Sequence, residues 1–262
     1  MVRDGVIQVS EDTDVQNAIT ISAQMDTLVG AEISDTWHDT GNNMYYAVAV
    51  MENERTSTLY ADLIRSNERI INELVNMTDQ VKNSLDGFAR YRLAAAIADT
   101  NRLYVNVLTV VGNTRGINPS EMKSGNDFRL EAAEVIKGIP VGVVVTGDRD
   151  GRLKNAFVRV VNAAGFRSGA DNSRYVIRVS YIVNPQEIPG QQNQFVRYEL
   201  IARLEDTAEG NSIFAHPSMV GRQGHLTVAE AEERAFRAVE EKIASEFAPA
   251  FQQYLDTLVS VR

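Results

Sequence analysis

The sequence predicts an α+β protein of two domains: an antiparallel sheet with a long helical hairpin, followed by a small mixed α/β sandwich. Three observations carry this. Strand-like alternation up to Met51 gives way to a helical stripe from Leu59 onward. A β-then-α order recurs after Pro140. Between the two, the segment 113–128 holds Gly116, Pro119 and Gly125 without any apolar period. The expected organisation is therefore 1–112, a linker at 113–128, and 129–262.

In the first domain, Ile19, Ile21 and Ala23 alternate with Thr20 and Ser22, which reads as a strand. Leu28 to Trp37 reads as a second strand. His38 to Asn43 is a turn by composition, and Met44 to Met51 is a nearly continuous apolar strand. Leu59, Leu63, Ile70, Leu74, Met77, Val81 and Leu85 then form one stripe of an amphipathic helix, with Thr56, Ser57 and Thr58 as candidate N-caps. A break near Asp86 and Gly87 leads to a second helix with Phe88, Tyr91, Ala95, Leu103, Val107 and Val110 near one face. It ends at Gly112–Asn113, residue types that suit a helix C-terminus.

In the second domain, Pro140 to Thr146 is Val-rich and reads as a buried strand. A turn at Asp148 to Gly151 enters a helix whose apolar face is Leu153, Phe157, Val160 and Val161, and Gly165 ends it. Tyr175 to Val183 and Phe195 to Leu204 alternate as strands, separated by a loop rich in Pro, Gly and Gln. A short strand is expected near Ile213–Phe214. Thr227 to Glu230 is a capping box. The helix it opens carries Ala231, Ala235, Val239, Ile243 and Phe247, with a kink or restart at Pro249.

Composition excludes several functions. The formal net charge is -9 and no basic run of five residues occurs, which disfavours nucleic acid and anionic membrane surfaces as partners. There are no cysteines, hence no disulfides, thiolate metal sites or cysteine nucleophiles. No run of 18 apolar residues is present, so no membrane-spanning helix is expected. No signal peptide follows Arg3, so the chain is either cytoplasmic or lacks a removed targeting segment.

No catalytic or metal constellation emerges, and no cofactor motif. The three histidines, His38, His216 and His225, have no partner at metal-ligand spacing. Asp148 and Asp150 before Gly151 resemble a fragment of a calcium loop without its closing Glu, and a helix-capping role is the expectation. The same turn lacks any Gly-rich phosphate pattern. The candidate binding residues are Asp35, Trp37, Asp39, Tyr45 and Tyr46, around the hairpin. Cross-strand aromatic packing with a buried Trp37 is the expectation there. An exposed contact platform is the alternative.

The run LVGAEISDTWHDTGNNMYYAVAVMENERTSTLY, residues 28–60, resembles the signature of the twenty-kilodalton outer-membrane lipoprotein family. Asp35, Trp37, Asp39, Tyr45, Tyr46 and Arg55 sit where that pattern expects them. The resemblance implies a flagellar or envelope lipoprotein of Gram-negative bacteria or spirochaetes, without enzyme activity. It further implies protein partners of the envelope or self-association, and a membrane link only through a lipid anchor. Family members begin with a signal peptide and a lipidated Cys. This chain has none, so a fragment located in the periplasm or at the outer membrane is expected, or a cytoplasmic protein if Met1 is the native start. The second half resembles envelope lipoproteins with a domain akin to anticodon-binding domains. A structural or protein-binding role is the leading expectation. A periplasmic receptor for a small ligand or peptidoglycan fragment, and a hydrolase with an unrecognised site, are the alternatives.

Overall fold

The computed structural model describes residues 31–190 and 192–258. These form two compact units, one of 31–82 and 86–132, the other of 83–85 and 133–258. The fold is α+β as expected. The strand expected at Ile19 to Ala23 lies outside the described residues.

The first unit opens with a two-stranded antiparallel ribbon, β1 (Ala31–Asp39) and β2 (Met44–Met51). Helices α1 (Asn53–Val75) and α2 (Leu85–Val111) follow, separated by a single helical turn at Asp79–Lys82. The break between them therefore comes before Asp86, at 76–84. α1 and α2 pack as the expected antiparallel hairpin. Tyr60, Ala61 and Ile64 of α1 meet Tyr104 and Leu108 of α2, and the two tyrosine rings make an edge contact at 5.3 Å. Farther along, fully buried Asn101 accepts from the Asn67 side chain at 2.7 Å and donates to Glu68 at 2.8 Å.

The buried helical faces differ from the expected stripes. α1 buries Thr56, Ser57, Tyr60, Ala61, Ile64 and Ile71, while Leu59 faces solvent. In α2, Leu103 and Val110 are exposed, and Leu93, Ala94, Ile97 and Ala98 take the interior beside Tyr91 and Ala95. Small and polar residues share these faces with Ile64, Ile71, Leu93 and Ile97, so aliphatic spacing alone does not fix their phase. Thr56, Ser57 and Thr58 are not N-caps either, because α1 starts at Asn53. The Ser57 and Thr58 hydroxyls instead donate back to the Glu54 carbonyl. The C-terminus of α2 is as expected, with Gly112 at φ +77°.

The segment 113–128 carries a 3₁₀ turn (Pro119–Glu121) and the start of helix α3 (Gly125–Gly138), which the sequence pattern does not anticipate. Ser124 and Asp127 cap that start reciprocally: the Ser124 N–H and hydroxyl donate to the Asp127 carboxylate, and the Asp127 N–H points back to Ser124 Oγ. The division between the units falls inside α3, after Ala132.

The second unit is built on a six-stranded mixed sheet. Its strands are β3 (Pro140–Thr146), β4 (Arg167–Ser168), β5 (Tyr175–Gln186), β6 (Gln194–Asp206), β7 (Asn211–Ala215) and β8 (Met219–His225). The order is β4-β3-β5-β6-β7, and β8 also pairs with β6. β3 runs parallel to β4 and β5, and the other pairs are antiparallel. Strand alternation decides which face is covered. Tyr175, Ile177, Val179 and Tyr181 of β5 and Val196, Tyr198, Leu200, Ala202 and Leu204 of β6 are all buried. Arg178, Ile182, Ile201 and Arg203 on the opposite face are exposed.

Helices α4 (Arg152–Ala163), α5 (Val228–Lys242) and α6 (Ala248–Thr257) complete this unit. Phe157 of α4, Phe214 of β7, and Phe247 and Phe251 pack ring on ring at 4.8–5.9 Å. Thr227 caps α5 as expected: its hydroxyl accepts the Glu230 amide and donates to the Glu230 carboxylate. The kink expected at Pro249 is a π-turn (Ile243–Phe247) just before α6, with Pro249 in the first turn of that helix, where its missing N–H costs nothing. β8 is not anticipated by the sequence. Its Gly221 lies under the Tyr198 ring, where a Cβ would come within 2.3 Å of the hydroxyl oxygen.

The Tyr181 hydroxyl is buried without a hydrogen-bond partner among the described residues, and burial raises its pKa well above the usual tyrosine value. Tyr181→Phe removes that orphan and is expected to raise stability by about 1 kcal/mol in urea melts. Asn101→Ala strands Asn67 and Glu68 in the α1–α2 interface and is expected to cost about 2 kcal/mol in the same assay.

Candidate functional site

The residues singled out from sequence come together on the β1–β2 ribbon. The four-residue turn 40–43 is held by Asp39. Its Oδ1 accepts the Gly41 and Asn42 amides at 2.9 and 3.3 Å, and Oδ2 accepts the Asn42 side-chain amide at 2.8 Å. This is the local bonding that Asp offers a turn. Asn43 takes the left-handed conformation at φ +53° that closes the loop. The Asn42 side chain, followed by the Asn42 and Gly41 amides, holds the Asp39 carboxyl below the ordinary carboxylate value of 3.8.

Register then sorts the side chains. Trp37 pairs with Tyr46, Asp35 with Val48, Asp39 with Met44, and Glu32 with Val50. Directly paired residues share a face. One face therefore carries an apolar row on β2 (Met44, Tyr46, Val48, Val50) beside a row on β1 made of Glu32, Asp35, Trp37 and Asp39. The other carries Ile33, Thr36 and His38 opposite Ala49, Ala47 and Tyr45. A bulge at Ser34 between Ile33 and Asp35 keeps both rows in phase; the Ser34 hydroxyl donates to the Val48 carbonyl.

Trp37 stacks on Tyr46 with ring centroids 5.0 Å apart, and His38 stacks on Tyr45 at 4.1 Å. Cross-strand aromatic packing is therefore present. The expectation of a buried Trp37 is corrected: it is 49% exposed, and Tyr45 and Ile33 are 78% and 67% exposed. A ring stacked in a two-stranded ribbon keeps its outer face open, because no third layer covers it among the described residues. Arg55, the other signature residue, pairs with Glu32 at 2.5 Å. Both partners are about two-thirds exposed, so the pair contributes little.

Sequence reasoning missed the rest of this surface. Ile33, Met44, Val48 and Val50 belong to it, and the signal was the alternate positions 44, 46, 48 and 50 within an apolar strand.

The other candidates separate. Asp148 caps α4, accepting the Leu153 and Lys154 amides at 3.1 and 2.9 Å. His225 faces Glu230 at 2.5 Å, whereas His216 packs on Phe247. Among the described residues, no group of three or more His, Cys, Asp or Glu is placed to hold a metal ion. No described helix is long and apolar enough to cross a membrane.

No protein-family model and no curated protein match the chain. Solved structures do. A minor lipoprotein from Acinetobacter baumannii is 22% identical over 45% of this chain and 94% of its own, with a TM-score of 0.35. A lipoprotein from Caulobacter crescentus CB15 is 17% identical over 45% of this chain and 88% of its own, with a TM-score of 0.28. The structural likeness is thus to bacterial lipoproteins and extends over less than half of the chain.

Two outcomes follow from the ribbon. Trp37 fluorescence is expected to be red-shifted and readily quenched by acrylamide, and Trp37→Ala to change stability by less than about 1 kcal/mol. Since the Asp39 pKa is depressed on folding, its support of the turn is present above pH 3.8 and is lost as pH falls through the lower folded value. Amide NMR signals of 39–43 are expected to hold steady down to that pH and move below it.

Proposed function

We propose that this chain is a module of a bacterial envelope lipoprotein that works by binding a protein partner rather than by catalysis, and that the β1–β2 ribbon is its contact surface. The observation that carries this reading is a two-stranded ribbon open on both faces that presents Ile33, Trp37, Tyr45, Tyr46 and Val50 to solvent among the described residues. Such a ribbon is marginal in water by itself. Contiguous exposed apolar and aromatic area of this kind is where proteins bind one another. The signature at 28–60, whose Asp35, Trp37, Asp39, Tyr45 and Tyr46 all lie on the ribbon, supports the envelope assignment.

The chemistry of the surface narrows the partner. Glu32, Asp35 and Asp39 lie beside Met44, Tyr46, Val48 and Val50 on one face. A complementary surface is an apolar strip flanked by Lys or Arg. A second copy meeting this face with its own would set carboxylate against carboxylate, in a chain that already carries a net charge of -9. The partner is therefore a different protein with a basic, apolar patch.

Fractionation of the intact gene product tests the location: recovery with the membranes or periplasm is expected, and recovery in the cytosol overturns it. A photo-cross-linking side chain at Tyr46, on the same face as Trp37, tests the surface. One adduct of defined mass is expected, weakened at least tenfold by Trp37→Ala and by the pair Asp35→Lys and Asp39→Lys. An adduct at twice the chain mass overturns the choice of partner. An adduct insensitive to these substitutions overturns the surface.

A further inference from the structure

A second surface of the first unit has a chemistry unlike the ribbon. Between α2, the 3₁₀ turn and the start of α3 lies a cleft of about 370 Å³. That is within the range of small-molecule sites, roughly 300–1,000 Å³. Its apolar wall is Ala98, Val105, Pro119 and Met122, and its polar rim carries Arg102, Lys123 and Arg129 with Asp99 as the one carboxylate.

The ion pairing of that rim is uneven. Arg129 is paired with Asp99. Lys123 is paired with Glu131 at 2.7 Å and lies over the Phe128 ring. Glu131 in turn accepts from the Tyr91 hydroxyl, whose pKa burial and this carboxylate push up to about 12. Arg102 has no carboxylate partner among the described residues. Arg102 thus places an unneutralised guanidinium at the edge of an apolar cleft, in a chain of net charge -9.

The cleft is held open by a close approach. A Cβ on Gly125 would lie 2.7 Å from the Ala95 carbonyl and against the Asp99 carboxylate, so only glycine lets α3 begin this near α2. Ser124 and Asp127 already cap that helix start, so the cations and the apolar wall, and not the helix end, supply the recognition.

We infer that this cleft binds a small organic monocarboxylate with an aliphatic body. Arg102 takes the carboxylate through its planar fork. Val105, Pro119 and Met122 cover the aliphatic part. One unpaired cation balances one negative charge, and Asp99 on the same rim repels a dianion such as phosphate. The site is separate from the ribbon, so either assignment stands if the other fails.

Calorimetric titration of the whole chain with octanoate, octanol and inorganic phosphate tests this. Octanoate is expected to bind with millimolar affinity, the range open to about ten heavy atoms. Octanol and phosphate are expected to bind at least tenfold more weakly. Arg102→Gln is expected to weaken octanoate at least tenfold with an unchanged melting temperature, and Arg102→Lys to restore part of the loss. Chemical shifts on octanoate addition are expected at Val105 and Met122. Absent binding of octanoate, binding indifferent to Arg102→Gln, or shifts confined to the ribbon would each overturn the site. Tighter binding of phosphate or octanol would overturn the ligand class.

Discussion

A two-stranded ribbon has two faces and no layer of its own to cover either. That geometric limit governs the first unit. β1 and β2 satisfy each other along one edge, and their stacked rings, Trp37 on Tyr46 and His38 on Tyr45, shield only one side of each ring. The turn is made independent of any partner by Asp39, which collects three hydrogen bonds from Gly41 and Asn42. The ribbon is thus locally well specified and, among the described residues, uncovered on both faces. Contrast β5 and β6, equally apolar on one face, whose inner residues are buried in full within the second unit. The difference between a buried strand and an exposed one here lies in what the other described residues place over it.

Much of the architecture was legible. The ribbon follows from its turn composition, and β3, β5, β6, α4 and α5 follow from their periods and from the capping box at Thr227. Three things were not. The start of α3 sits among Gly116, Pro119, Ser124 and Gly125, a composition that reads as linker. Phe128, Ala132, Val135 and Ile136 nonetheless recur at helical spacing within it. β8 has two glycines in seven residues, and its side-chain partners are the Tyr198 and Phe195 rings of β6, which no local pattern reveals. The phase of the helical hairpin was misjudged because Ser57, Ala61, Ala94 and Asn101 are buried while Leu59 and Leu103 face solvent.

That the candidate residues share one ribbon was legible, and their environment was misjudged. Aspartates flanking a tryptophan, followed by paired tyrosines, located the ribbon, and the expected stacking is there. Exposure of Trp37 was not foreseeable from pairing, since pairing fixes neighbours within a sheet and says nothing of a layer above it. The cleft beside α3 left no mark in the sequence at all. Arg102, Lys123 and Arg129 lie on two helices and a loop, and only the approach permitted by Gly125 brings them to one rim.

The path of the chain between the units has a consequence for anyone dissecting this protein genetically. Residues 83–85 belong to the second unit although 31–82 and 86–132 belong to the first. The Leu85 amide donates to the Tyr175 hydroxyl, whose ring stands at the head of β5. A single cut therefore yields no pair of complete halves. Severing after Ala132 leaves the second unit without a piece of its own interior, and severing before Asn83 parts α1 from α2. A faithful separation of the two would need the 83–85 strap carried over to the second unit, as in a permuted or insertion design, so that each unit retains every residue it packs.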